Sequence, residues 1–200
     1  MAAIDEFVNR IICGDCLAVM KQLPDKCVDF AFADPPYGIG KAEWDDKYFE
    51  GFEQELLRLS RKGVAITPGQ ENIGTCITAL GANYKGILAA RNKNGMTFNK
   101  IGFGNWIPVV VGGSIKRGQD FMEFVIKEDK PPHPSPKPVQ FMKLIIQRFT
   151  EPGDVVLDPF LGSGTTAFAC HYLNRNFIGI EINPDYCKIA EDRLRQGVLF

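Results

Sequence analysis

Val155-Val156-Leu157-Asp158-Pro159-Phe160-Leu161-Gly162-Ser163-Gly164-Thr165-Thr166-Ala167 reads as a short buried strand that feeds a glycine turn and then opens a helix. Asp158-Pro159 ends the apolar run, because proline cannot continue a ladder, and Gly162 and Gly164 let the backbone turn tightly and pass close to a ligand. Gly162-x-Gly164-x-x-Ala167 fits the glycine fingerprint of nucleotide-binding β-α-β units. Glu181 closes the next apolar run, nineteen residues beyond Gly162, where a carboxylate can accept hydrogen bonds from ribose hydroxyls. On spacing alone two adenosine cofactors are admissible, NAD and S-adenosylmethionine. The second has no pyrophosphate, so its loop need not be shaped as an anion cradle.

Outward from this turn the period of the apolar residues predicts helices over 139–149, 165–173 and 185–195 and a strand over 177–181. The amino-terminal part predicts strands over 10–13, 28–33, 63–67, 86–91 and 108–111, with helices over 17–23, 49–59 and 71–80. Strands alternating with helices imply an α/β fold with a mostly parallel, twisted sheet covered by helices on both faces. Residues 130–138 hold five of the thirteen prolines, so this stretch is predicted to be an extended seam inside one domain.

At 200 residues, with 45% hydrophobic and 24% charged side chains, the chain has the size and composition of one globular domain and excludes disorder as its main state. No run approaches the roughly 18 apolar residues of a membrane span, and Met1 to Arg10 carries two acids without an apolar signal core; a soluble, unexported, cytoplasmic protein is expected. The six cysteines include one close pair, Cys13 and Cys16, with no second pair to complete a zinc site, and no metal is expected. The net charge is −1, yet the 48 residues from Asn72 to Gln119 hold six basic side chains and no acidic one. Lys85, Arg91, Lys93, Lys100, Lys116 and Arg117 stand there among Tyr84, Phe98, Phe103 and Trp106, a mixture suited to a polyanion whose bases can stack.

Asp34-Pro35-Pro36-Tyr37, directly after the second predicted strand, decides between the cofactors, since each residue has a use in alkylating an exocyclic amine. Such a nitrogen is a poor nucleophile because its lone pair is delocalised into the ring. A catalyst must accept hydrogen bonds from its protons and so favour a pyramidal, electron-rich nitrogen in the transition state. Asp34 and the Pro35 carbonyl supply acceptors, Pro36 stiffens the turn that aims them, and Tyr37 offers a ring on which an extruded base can stack. A hydride-transferring NAD enzyme leaves this segment without a use and has no placed acid/base histidine.

Asp34-Pro-Pro-Tyr37, then His133-Pro-x-x-Lys137-Pro138, then Leu157-Asp-Pro-Phe-x-Gly-Ser-Gly-Thr-Thr166 resemble, in this order, the β-class amino DNA methyltransferases. The resemblance spans nearly the whole chain, from Gly14-Asp15-Cys16 to Arg193-Leu194, and implies a Rossmann-like S-adenosylmethionine-dependent methyltransferase fold. Its motif order is circularly permuted, the catalytic half (1–111) preceding the cofactor-binding half (131–200). It implies that Phe160, Gly162 and Gly164 line the methionine end of the cofactor with Asp158 and Ser163 beside them and Lys137 closing that side. Glu181, with Ile182 after it, would take the ribose, Asp15 and Cys16 would flank the adenine, and Asp34 to Tyr37 would hold the target base.

In this family Asp at the first motif position usually accompanies adenine-N6 methylation, so site-specific transfer to adenine in DNA by base flipping is the expected activity. Cytosine-N4 methylation and a catalytically inactive DNA-binding homologue are the alternatives. Only residues 112–130 stand where relatives place a target-recognition region, which is too short for a separate domain. One subunit would therefore cover little DNA, and a homodimer is expected.

Overall fold

The structure, a computed structural model, describes residues 4–38, 49–95, 97–99, 102–126 and 137–196. The amino-terminal half runs β1 (Arg10–Cys13), α1 (Cys16–Met20), β2 (Val28–Ala33), α2 (Phe52–Leu59), β3 (Ser60–Ile66), α3 (Ile73–Leu80) and β4 (Tyr84–Asn92). A short hairpin of β5 (Thr97–Asn99) and β6 (Gly102–Gly104) leads into β7 (Trp106–Gly112) and β8 (Phe121–Phe124). The rest is α4 (Val139–Phe149), β9 (Val155–Asp158), α5 (Thr165–Tyr172), β10 (Asn176–Glu181) and α6 (Pro184–Gln196).

Eight strands form one sheet in the order β1-β10-β9-β2-β3-β7-β4-β8. β1, β10, β9, β2 and β3 are parallel neighbours, β7 is antiparallel to both β3 and β4, and β8 is again parallel to β4. Successive side chains of a strand point to opposite faces, and β2 shows what that requires here. Phe30 and Phe32 pack with α4, where Phe30 stacks on Phe149 at 5.1 Å and Phe32 meets Phe141 edge-on at 6.3 Å. Ala31 and Ala33 join the opposite cluster with Val19 and Met20 of α1, Leu56 of α2 and Leu80 of α3. Each fully buried phenylalanine contributes about 2 kcal/mol by leaving water. Helices α1 to α3 thus cover one face of the sheet and α4 to α6 the other.

The chain leaves the centre of the sheet in two directions, β2 towards β3 on one side and β9 towards β10 on the other. A crevice therefore opens at the carboxyl ends of β2 and β9, the place where ligands bind in open α/β sheets. β7 and β4 rise above this level. Ile66, the last residue of β3, pairs with Val110, and Trp106, four residues further up β7, pairs with Arg91 of β4. At about 3.3 Å per residue the two strands project roughly 13 Å beyond β3 as a wall beside the crevice, with the β5-β6 hairpin in the connection between them.

Two parts of this wall differ from the sequence expectation. β8 lies within residues 112–130 and extends the sheet edge, and the β5-β6 hairpin interrupts what the composition presents only as an acid-free stretch. Both escape periodicity analysis because three or four residues are too short for an alternation to register. Helix α2 begins at Phe52, after Gly51 in a left-handed conformation with φ +88°, and not at Phe49.

Gly63, with φ +143°, lets β3 and the end of β7 approach closely: a Cβ there would stand 2.5 Å from the Gly112 carbonyl oxygen and 2.6 Å from Ile115 Cγ2. Gly63→Ala is expected to cost about 1 to 3 kcal/mol of stability through overpacking, read as a lower denaturant midpoint; an unchanged midpoint would contradict this packing.

Candidate active site

A cavity of about 340 Å³ fills the crevice. Loops after four neighbouring parallel strands line it: Gly14 to Cys16 after β1, Glu181 to Asn183 at the end of β10, Pro159, Phe160 and Gly162 after β9, and Asp34 to Tyr37 after β2. Lys137, Phe49 and Tyr186 complete the wall. The size falls within the range of small-molecule sites.

At the β2 end the parallel register makes the chemistry. Ala33 pairs with Ile66, so the next residues, Asp34 and Thr67, come to stand side by side. The Thr67 hydroxyl donates to Asp34 Oδ1 at 2.6 Å, and the Tyr37 phenol donates to the same oxygen at 2.6 Å. Lys137 Nζ donates to Asp34 Oδ2 at 2.5 Å and to the Tyr37 oxygen at 2.9 Å. A carboxylate offers about four lone-pair positions. Among the described residues these three donors take three, and one on Oδ2 is open. Burial alone would lower the Lys137 ammonium, but the Asp34 carboxylate beside it, and then Tyr37, hold it above its ordinary value. Burial, with Asp34 next, pushes the Tyr37 phenol up, so it stays protonated as a donor. Asn72 Nδ2 donates to the Tyr37 carbonyl at 2.8 Å and to that of Pro68 at 3.1 Å, tying the Pro-Pro turn to the start of α3. One face of the Tyr37 ring lies against Gly69, where a Cβ would stand 3.2 Å from the ring.

At the β10 end Glu181 is buried, and two backbone N–H groups aim its carboxylate: Gly162 donates to Oε2 and Asn183 to Oε1, both at 2.8 Å. Each oxygen keeps a lone pair, which suits a pair of vicinal hydroxyls. Gly162 takes φ +53° to bring its N–H there. Asp15 caps α1, its side chain accepting from the Ala18 N–H at 2.8 Å. Burial, reinforced by Asp15, pushes the neighbouring Cys16 thiol up to about 12, so it forms a neutral wall and not a nucleophile. The Phe160 ring is fixed edge-on against Phe52 at 5.1 Å and Phe49 at 5.6 Å.

Three candidates from the glycine turn lie behind the cavity wall. Asp158 is buried, accepting from the Phe160 N–H at 2.9 Å and the Thr166 hydroxyl at 2.5 Å; burial raises its carboxyl to about 7 against these two bonds. Ser163 is buried and its carbonyl accepts from Arg193 Nη1 at 2.7 Å. Gly164, with φ +84°, faces α6: a Cβ there would stand 2.7 Å from Ala190 Cβ. Gly162 therefore borders the cavity, and the glycine at 164 serves packing between α5 and α6.

The basic patch is divided. Arg91 and Lys93 stand at the top of β4, beside Trp106 and on the crevice side, where both pair with Glu123 of β8 at 3.2 and 3.6 Å. Lys85 lies at the opposite end of β4, and Lys116 and Arg117 follow β7 at that same far end, where Lys116 bonds Glu151 at 3.2 Å. Six residues of strand separate Lys85 from Arg91, about 20 Å. Lys85, Lys116 and Arg117 thus do not share a face with the cavity, a correction that linear charge clustering could not foresee because β4 carries the chain from one end of the sheet to the other. Lys100 lies outside the described residues, as do His133 and its neighbours in the Pro-rich seam. Thr67, Phe49, Asn183 and Tyr186 were not expected at the site; the signal for Thr67 is the parallel register, which pairs residues by strand position.

The chain belongs to the N6/N4 DNA methylase family, whose model matches residues 82–192. It is a DNA methyltransferase of that family, and S-adenosylmethionine is its cofactor. It is 28% identical to the type II methyltransferase M.HpaI of Haemophilus parainfluenzae, over 93% of this chain and 74% of the relative. Among solved structures it resembles the M1.HpyAVI–SAM complex, with TM-score 0.73, 28% identity and coverage of 92% of this chain and 98% of that one. The PvuII cytosine-N4-specific DNA methyltransferase shares the fold, with TM-score 0.67, 16% identity and coverage of 92% and 85%. Among the described residues no helix is long and apolar enough to cross a membrane, and no cluster of His, Cys, Asp and Glu could hold a metal ion.

Gly164→Ala is expected to lower stability by about 1 to 3 kcal/mol while adenosine-ligand affinity, measured where the variant is folded, stays within about threefold. Loss of affinity at full stability would return Gly164 to the cavity.

Proposed function

We propose that this enzyme methylates the N6 amino group of adenine in DNA, receiving the flipped base at the β2 end of the cavity and the cofactor at the β10 end. The observation that carries the reading is the Asp34 carboxylate, held by three donors with one lone-pair position open, beside Pro35 on the same cavity wall as Gly162 and Glu181. Glu181 would take the ribose hydroxyls, Asp15 and Cys16 would border the adenine ring of the cofactor, and Phe160 and Gly162 would line the path to its methionine end. S-adenosylmethionine supplies an electrophilic methyl group when bound.

The residues of this chain prepare the amine. Asp34 Oδ2 accepts one N–H and the Pro35 carbonyl the other, which draws the nitrogen lone pair out of conjugation and aims it away from both acceptors. Thr67, Tyr37 and Lys137 hold Asp34 in one orientation, so its acceptor position is in place before the base arrives. The transfer is direct, and the raised thiol of Cys16 fits a reaction without a covalent enzyme intermediate. Adenine is favoured because Asp stands first in the motif. Cytosine N4 offers the same two protons, and the PvuII enzyme of the same fold is named for that reaction.

In this reading the chain is one cytoplasmic methyltransferase domain, with the upper end of β8 at Phe124 and the β5-β6 hairpin on the side where DNA approaches. Incubation with labelled cofactor and DNA, digestion to nucleosides and mass spectrometry should yield N6-methyl-2′-deoxyadenosine. N4-methyl-2′-deoxycytidine would replace the base assignment, and the absence of any methylated nucleoside would overturn the catalytic reading. Asp34→Ala should abolish transfer with cofactor affinity retained within about tenfold, while Glu181→Ala should weaken the cofactor by about 1 to 3 kcal/mol.

Because the protein carries a net charge of −1, DNA affinity must come from a local patch, and each phosphate contact adds about −0.9 to the slope of log K against log salt. Replacing Arg91 and Lys93 together with glutamine should flatten that slope by nearly two, and replacing Lys116 and Arg117 should leave it unchanged. The reverse pattern would move the DNA to the far end of the sheet. The short recognition segment supports a homodimer on DNA; sedimentation showing a fully active monomer at assay concentration would refute it.

A further inference from the structure

Lys137 is the one basic side chain among the described residues that line the cavity, and it shares that wall with Asp15, Asp34 and Glu181. It belongs to the carboxyl-terminal half, directly before Pro138 and α4, yet its ammonium is spent on the amino-terminal half, at 2.5 Å from Asp34 Oδ2 and 2.9 Å from the Tyr37 oxygen. Its side chain is only 12% exposed. A ligand with an amino-acid end brings a carboxylate into a wall that is otherwise acidic, and a charge buried there must find a cation. Among the described residues Lys137 is the one candidate on that wall, and it is already engaged.

We propose that Lys137 is a positioning residue shared between Asp34 and the carboxylate of the cofactor's amino-acid end, so that cofactor and target base bind cooperatively. Without ligand the ammonium occupies Asp34 Oδ2, the oxygen whose open position the amine needs. A ligand carboxylate competes for the same ammonium and loosens it from Oδ2, which opens a second acceptor position there. Binding of the cofactor then favours binding of the amine, and linkage makes the effect reciprocal. The second half of this scheme rests on the reading of Asp34 as the amine acceptor. The first half, competition of two carboxylates for one ammonium, does not require DNA and is tested without it.

The probes are S-adenosylhomocysteine and 5′-methylthioadenosine, which share the nucleoside and thioether but differ in the amino-acid end, titrated calorimetrically. Asp34→Asn frees Lys137 and should tighten S-adenosylhomocysteine about fivefold or more while leaving methylthioadenosine unchanged. Lys137→Met should weaken S-adenosylhomocysteine about tenfold, again without effect on methylthioadenosine, and in its background Asp34→Asn should have no further effect. Lys137→Arg, which keeps the charge, should recover part of the loss. Unchanged or weaker S-adenosylhomocysteine binding by Asp34→Asn, or equal shifts for both ligands, would overturn the sharing. If Lys137→Met loses both ligands through misfolding, the Asp34→Asn result decides alone. For the base, S-adenosylhomocysteine should raise affinity for a DNA duplex that the wild type methylates by about fivefold more than methylthioadenosine does, and Lys137→Met should erase the difference. If the ligand titrations hold and this last arm fails, Asp34 is not the amine acceptor and the error lies in the proposed function.

Discussion

The carboxylate of Asp34 sits where β2 ends, and everything around it is arranged to keep a charge in a place that water reaches poorly. A carboxylate standing alone there would be left without hydrogen-bond partners. Thr67 from the neighbouring strand, Tyr37 from the same turn and Lys137 from the other half of the chain prevent this with hydrogen bonds of 2.5 to 2.6 Å. The compensation is also a geometric device. Three donors from three segments leave the carboxylate no freedom to rotate, and one acceptor position faces the cavity. The ion pair with Lys137 further ties residues that lie 103 positions apart in the chain together at the crevice.

The sheet order makes such a meeting possible. Because β2 and β9 are neighbours although residues 34–154 lie between them in sequence, the Pro-Pro turn and the glycine turn emerge side by side. Glu181 then stands one strand further out, at the end of β10, with its oxygens aimed by the N–H groups of Gly162 and Asn183. Nothing in this arrangement depends on which half comes first in the chain. A circular order of parts is tolerated because the site is assembled from strand ends, and strand adjacency is independent of chain order. The same logic lets β4 and β7 overshoot their neighbours and carry Arg91 and Trp106 above the crevice without disturbing the core below.

Much of this was legible in the sequence, for identifiable reasons. The strands over 10–13, 28–33 and 155–158 were read at their observed bounds because their apolar runs end in residues that cannot continue a ladder or in a turn. Asp34 to Tyr37, Gly162 and Glu181, which line the cavity, stand out in the sequence because unusual residue types occur at fixed offsets from those strands. What failed was anything that depends on how far a strand runs or which strand lies beside it. Lys85, Lys116 and Arg117 cluster with Arg91 by composition, yet β4 and β7 carry them to opposite ends of the sheet. Gly164 and Gly162 look alike in the motif, but only the three-dimensional path of α6 shows that Ala190 occupies the space beside one of them. Thr67 was invisible because a lone threonine after a strand acquires its role from the register of the neighbouring strand.

In the proposed reaction, orientation of Asp34 by buried donors, and not its charge alone, prepares the amine. Thr67 is the cleanest handle, since it is fully buried, carries no charge and can be replaced by valine at nearly equal volume. The decisive measurement is the single-turnover rate of methyl transfer by Thr67→Val with cofactor and DNA both saturating. A fall of about tenfold or more is expected, corresponding to roughly 1.4 kcal/mol of lost transition-state stabilisation, with cofactor affinity unchanged. A wild-type rate would contradict it, as would a defect confined to cofactor affinity.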